Sequence, residues 1–289
     1  MATSPTVNAD SLKKTLMTTG FPLELQVAEV LRRRKYEIYG NQFFEIDNTI
    51  KEIDMEAWVP VKVPDSSDIW CLNPEVVVEC KMSKKYSWVF HVSHTVIAHS
   101  DLAQGINAFS VKPGYGHGLP GSVDILHFDH YYESHVASTF AVLDPERERR
   151  AERDEVFTST SKLSQFVNYR VKNLMEFFDD DRRDIMFFFP MLVFDGMIYE
   201  ADYKDRQLSI SPIDSIVLET RTISPITGRL SPMYVDVVTS SHFERQLAII
   251  EGEVKAASRR LTKDTMQAMI TNYLSPRKKK RSNKGTRKT

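Results

Sequence analysis

The sequence predicts an α/β protein with a mixed central sheet flanked by helices, and three observations carry that prediction. The run DIMFFFPMLVFD, ending at Asp195, is apolar on both faces, as a strand is when helices cover it on either side. Three long segments carry apolar residues at helical spacing: Phe21 to Lys35, a stretch ending near Phe178, and His242 to Leu261. Between them lie short alternating or valine-rich runs, of which EVVVECKM, Glu75 to Met82, is the most informative. Strands and helices interleaved in this way assemble into a layered sheet.

Composition sets the outer bounds. The 289 residues can bury a large core, and 42% hydrophobic with 27% charged residues is ordinary for a globular protein. No run has the length of a membrane span, and MATSPTVNADSLKK carries no signal-peptide core, so no membrane partner is expected. Cys71 and Cys80 are the only cysteines, too few for a disulfide framework or a zinc site, which fits a reducing cytoplasmic location. The net charge of −1 conceals a basic end. Arg277 to Thr289 holds eight basic residues and no acidic one, leaving about −9 for the rest of the chain. Such a segment has nothing to bury and is expected to be disordered.

The elements follow in order. Residues 1–18 read as a flexible lead-in with a short helix around Ser11 to Met17. Pro22 suits the first turn of the next helix, whose buried stripe is Leu23, Val27, Val30 and Leu31. Tyr36 to Asp47 reads as a strand broken near Gly40, and Asn48–Thr49 as a turn. In IKEIDMEAWV, Ile53, Met55, Ala57 and Val59 alternate with Glu52, Asp54, Glu56 and Trp58, which places Asp54 on the polar face. Pro60 to Pro74 reads as a linker with a small hairpin ending in IWCL. YSWVFHV suggests a strand whose Trp88 and Phe90 are core residues more readily than base-stacking ones. Ser100 to Val111 suggests a short helix, and KPGYGHGLPG a loop without the setting of a phosphate-binding motif.

Farther along, His127, Asp129, His130, Glu133 and His135 form a His- and acid-rich patch that matches no standard metal spacing. The charged run from Pro145 opens the long helix, with Leu163, Phe166, Val167, Leu174 and Phe177 as its stripe. Asp195–Gly196 reads as a hairpin turn between two strands. Ser215 to Thr222 and Met233 to Thr239 are further strands, and Phe243, Leu247, Ile250 and Val254 line the last helix. The organisation is a lead-in (1–18), an α/β domain (19–265) with an insertion at about 91–150, and a basic tail (266–289).

EVVVECKM carries the chemistry. Side chains alternate along a strand, so Val77, Glu79 and Lys81 share one face, and Val76, Val78, Cys80 and Met82 the other. A carboxylate and an ammonium at the end of an apolar strand must pair, bind a metal or face a polar cleft. Pairing with the IKEIDMEAWV strand would bring Asp54 to the same end of the sheet.

The series formed by Glu24 in GFPLELQVAEVL, Asp54 in EIDMEAW, and Glu79 with Lys81 in VVVECK resembles the PD-(D/E)xK nuclease superfamily and its restriction-type members. The similarity spans about residues 19 to 90. It departs at Ile53, which stands where the motif has proline, while a literal Pro64–Asp65 lies downstream. Asp54 is favoured over Asp65 because its strand alternates cleanly and VPDSSD reads as a turn.

The resemblance implies a restriction-endonuclease-like core and a Mg²⁺-dependent endonuclease, with Mn²⁺ able to substitute. It also implies that Glu24, Asp54, Glu79 and Lys81 are catalytic, and that Asp54, Glu79 and the Cys80 backbone carbonyl ligate the metal. DNA is the expected partner, with RNA, a homo-oligomer and a role as a partner subunit left open. Lys84, Lys85 and the tail residues Arg277, Lys278, Lys279, Lys280 and Arg281 are the expected phosphate contacts. The same fold without catalysis, as a nucleic-acid-binding or docking module, is the alternative.

Overall fold

The computed structural model describes residues 8–63, 70–93, 108–111, 128, 131, 135–151, 155–176, 183–223 and 228–260. Among the described residues the helices are α1 (Ala9–Leu16), α2 (Phe21–Arg33), α3 (Glu155–Glu176) and α4 (Phe243–Arg260). The first half of the chain contributes strands β1 (Glu37–Ile46), β2 (Thr49–Trp58), β3 (Val61–Lys62), β4 (Trp70–Met82), β5 (Ser87–Ser93) and β6 (Ala108–Val111). The second half contributes β7 (Val136–Asp144), β8 (Arg149–Arg150), β9 (Arg183–Asp195), β10 (Ile198–Lys204), β11 (Gln207–Ile213), β12 (Ser215–Ile223) and β13 (Leu230–Thr239).

These strands form one mixed sheet with the order β1-β2-β4-β9-β13-β12-β7-β5-β10-β11, while β3, β6 and β8 pair at its sides with β4, β9 and β7. Strands β4 and β9 are its spine. They run parallel and in register from Trp70 opposite Arg183 to Met82 opposite Asp195. Each tolerates a central proline for the same reason. Pro74 falls between the end of the β3 ladder at Leu72 and the start of the β2 ladder at Glu75. Pro190 falls between the β6 ladder, which ends at Phe187, and the β13 ladder, which starts at Met191. At both places the flanking strand changes, so the missing N–H breaks no ladder bond on that side.

The sheet separates two cores. On one face Val76, Val78 and Cys80 pack with Leu23, Val27 and Leu31 of α2 and Phe243, Leu247, Ile250 and Val254 of α4. On the other, Val77, Phe188, Leu192 and Trp88 pack with Leu163, Phe166, Val167 and Val171 of α3. The face assignment read from EVVVECKM is therefore the one observed. Trp88 and Phe90 are buried, and Trp88 stacks on Phe194 with ring centroids 3.7 Å apart. The α/β class holds, with helices on both faces of a mixed sheet.

Several expectations are corrected. Residues 108–111 are a strand, paired antiparallel with β9, rather than the end of a helix. The long helix starts at Glu155, because Pro145–Arg147 form a 3₁₀ turn and Arg149–Arg150 pair with β7. The small hairpin read within Pro60 to Pro74 is present, since β3 pairs antiparallel with Cys71 and Leu72, and its second arm is the start of β4.

Asp195–Gly196 does not close a hairpin: β10 leaves β9 and pairs with β5 and β11 instead. Gly196 is there for space, not for a left-handed turn. A Cβ on it would lie 2.5 Å from the Phe194 ring and 2.7 Å from the Ser83 carbonyl oxygen. The true two-residue hairpin turns are Asp47–Asn48 and Asp205–Arg206, where both residues have positive φ as a primed turn requires.

Alternation in β2 also fails at one point. Met55 and Ala57 enter the α2/α4 core as expected, but Ile53 enters the α3 core. The switch falls at Asp54, opposite Asn41, whose φ of 50° interrupts the extended geometry of β1.

Candidate active site

The antiparallel pairing of β2 with β4 runs from Trp58 opposite Glu75 to Met55 opposite Val78 and stops there. Beyond that point the Asp54 carboxylate accepts the Cys80 backbone N–H at 2.7 Å. A side chain thus takes over the amide that the next rung of the ladder would have bonded. The two strands part, and the last residues of β4 line the opening.

Glu79 and Lys81 project there on the α3 side. Glu79 is fully buried at 0% exposure, and its Oε2 pairs with Lys81 Nζ at 3.1 Å. Lys81 Nζ also donates to the Cys80 carbonyl at 3.1 Å. The Cys80 side chain points the other way, into the α2/α4 core.

Electrostatics joins Glu24 to this group. Burial, and then the Asp54 carboxylate, push the Glu24 carboxyl above its ordinary range, while Lys81 pulls it back. Glu79 is likewise raised, first by burial, with Lys81 opposing and Asp54 reinforcing. Burial alone would lower Lys81, but Glu79 and Asp54 outweigh it and hold the ammonium above the usual lysine value. Glu24 and Glu79, each raised by burial and by the Asp54 charge, form with the held lysine a charge cluster of the kind found where chemistry is done. All four side chains read from the sequence as catalytic therefore lie in one electrostatic neighbourhood.

Two cations absent from the sequence reading complete it, both from α3. Lys162 Nζ pairs with Glu79 Oε1, so the buried carboxylate lies between two ammonium groups. Two turns on, Arg170 grips Glu75 with Nε–Oε1 at 3.0 Å and Nη2–Oε2 at 3.2 Å, and reaches Glu56 Oε1 at 2.8 Å. The spacings match. Glu75 to Glu79 is four residues, about 13 Å of strand. Lys162 to Arg170 is eight residues, about 12 Å of helix running the opposite way. The signal was in the sequence: Arg170 lies between Phe166 and Leu174 at i±4, a cation within an apolar stripe, and Glu75 shares the face of Val77 and Glu79. Burial, reinforced by Glu75 and opposed by Arg170, pushes Glu56 up to about 8, so that one proton and one guanidinium serve two carboxyls.

No known family model, curated protein or solved structure matches this chain.

The remaining expected sites divide into two groups. Lys84 is exposed and lines a crevice of about 780 Å³ with Ser83, Asp195, Asp214 and Ser240, at the carboxyl ends of β4, β9 and β13. Lys85 is engaged with the buried Asp144 at 3.1 Å. Asp65, the histidine patch at His127, Asp129, His130 and Glu133, and the tail with Arg277, Lys278, Lys279, Lys280 and Arg281 lie outside the described residues. Of the patch only His135 is described, and it pairs with Glu200 at 2.8 Å. No described helix is long and apolar enough to cross a membrane.

The site's donors fit a hard divalent cation in kind: two carboxylates, a backbone carbonyl and a third acid, with Glu24 and Glu79 each raised by the nearby Asp54 charge. Among the described residues, no three His, Cys, Asp or Glu side chains are gathered closely enough to hold an ion. Glu79 is held by lysines instead.

Proposed function

We propose that this chain is a metal-dependent nuclease of the restriction-endonuclease-like type that hydrolyses phosphodiester bonds, with DNA as its substrate. The observation that carries this reading is the parting of β2 and β4 at Asp54. It gathers an acid from each strand, the Cys80 carbonyl and Lys81 at one opening, beside Glu24 of α2.

Asp54, Glu79 and the Cys80 carbonyl would hold the magnesium ion. When bound, it supplies Lewis-acid charge at phosphorus and a water of lowered pKa. Lys81 does the chain's own part. Glu79 and Asp54 favour its protonated form, and its ammonium would counter charge on a phosphate oxygen and orient an attacking water. The basic tail and Lys84 would neutralise phosphates away from the reacting one.

Nicking of supercoiled plasmid, linear DNA and single-stranded RNA in Mg²⁺ or Mn²⁺ tests the reading. Wild type is expected to cut DNA, and Glu79→Gln and Lys81→Met to lose at least about a hundredfold in rate, while Lys81→Met still binds DNA. The second reading, a nucleic-acid-binding or docking module without catalysis, is favoured by the two lysines that already pair with Glu79. It takes precedence if purified wild type cuts none of these substrates.

A further inference from the structure

Glu79 has no exposure to water, so its charge cannot be left uncompensated. Two ammonium groups compensate it, one at each oxygen. They are not equivalent. Lys81 lies two residues along the same strand and is also bonded to the Cys80 carbonyl. Lys162 comes from another element, and it is brought there by the helix register that Arg170 fixes on Glu75. Both lysine side chains reach solvent, Lys162 at 24% and Lys81 at 30%, a route to water that Glu79 lacks.

A carboxylate oxygen that faces an ammonium cannot offer the same direction to a divalent cation, so the two compete. We infer that Lys162 is an internal counter-ion that holds Glu79 in the metal-free site and gives way when a divalent cation takes that carboxylate. It is a positioning residue, and it sets the metal affinity of the site. This inference rests on the assignment of Glu79 as a metal ligand. It also accounts for how an acid without exposure is held before metal arrives: an ammonium stands at each of its two oxygens. Arg170 then has a second role, since its clamp on Glu75 keeps α3 at the height that presents Lys162.

The test is Mn²⁺ binding to the full chain without nucleic acid, read from the electron paramagnetic resonance signal of free Mn²⁺. Lys162→Gln removes the charge but keeps an amide donor for Glu79, so it retains the fold even if Lys162→Met does not. Lys162→Gln is expected to bind Mn²⁺ roughly tenfold more tightly, equivalent to about 1.4 kcal/mol. Lys162→Arg, which keeps the competing charge, should bind no more tightly than wild type, and Glu79→Gln should bind much more weakly. The sign is diagnostic, because a lysine that only braces the site would weaken metal binding when removed. Unchanged or weaker binding by Lys162→Gln, with Glu79→Gln still impaired, overturns the inference and leaves the nuclease reading intact. Absence of Mn²⁺ binding in wild type and Lys162→Gln alike, or indifference to Glu79→Gln, overturns both.

Discussion

The Asp54 carboxylate accepts the backbone amide of Cys80 at 2.7 Å, at the point where β2 and β4 stop pairing. Asp54 is therefore both a structural cap on a broken ladder and the acid that faces Glu24 and Glu79. The two roles separate by substitution. Asp54→Asn keeps an oxygen acceptor for Cys80, so its thermal midpoint should stay close to wild type while cleavage disappears. Asp54→Ala leaves that amide unsatisfied and should also cost about 1–3 kcal/mol in urea unfolding. Asp65→Asn should leave cleavage intact. The opposite pattern, with Asp65→Asn inactive and Asp54→Asn active, would transfer the role to Asp65.

Arg170 holds Glu75, which is 1% exposed, together with the buried Glu56. Removing the guanidinium leaves the Glu75 carboxylate buried without a cation, so Arg170→Met should destabilise the fold by about 3 kcal/mol or more. Adding Glu75→Gln should recover part of that loss, because the stranded charge is then gone. Denaturant curves of the single and double variants decide the point, and additive losses would show that the pair is not coupled.

Glu56 gives stability a pH dependence of defined sign. Its ordinary value is 4.5 and the fold raises it to about 8, through burial and the facing Glu75 carboxylate, against Arg170. The folded state binds the extra proton, so this contribution is complete below pH 4.5 and is lost as pH rises to about 8. Glu56→Gln mimics the protonated form. It should flatten the fall in thermal midpoint between pH 5 and 8.5 and be at least as stable as wild type at the upper end. Parallel profiles for the two proteins would show that Glu56 does not hold that proton.

Gly196 meets the Phe194 ring and the Ser83 carbonyl so closely that a methyl group does not fit. Gly196→Ala should cost about 1–3 kcal/mol by forcing Phe194 off its stacking partner Trp88. A loss of near-ultraviolet circular dichroism from Trp88 should accompany it. A variant with wild-type stability and spectrum would mean that the crevice wall yields without disturbing the core.

What the sequence determined by itself was local. The face assignment in EVVVECKM and the apolar stripes of α2, α3 and α4 followed from periods of two and 3.6 residues, which the backbone imposes without reference to the rest of the chain. The grouping of Glu79 with Lys81 was legible for the same reason.

Tertiary structure alone decided the rest. Asp195–Gly196 looked like a turn, but whether two successive strands pair depends on which neighbours β9 already has. With β4 on one side and β6 and β13 on the other, β10 had to go elsewhere. Alternation also could not foretell that β2 switches faces at Asp54, where Asn41 on the opposing strand leaves the extended geometry. Lys162 is 83 residues from Glu79 in sequence, and their meeting is fixed by the match between eight residues of helix and four of strand. A charge can be read from a sequence, but the partner that compensates it is a matter of which elements the fold lays side by side.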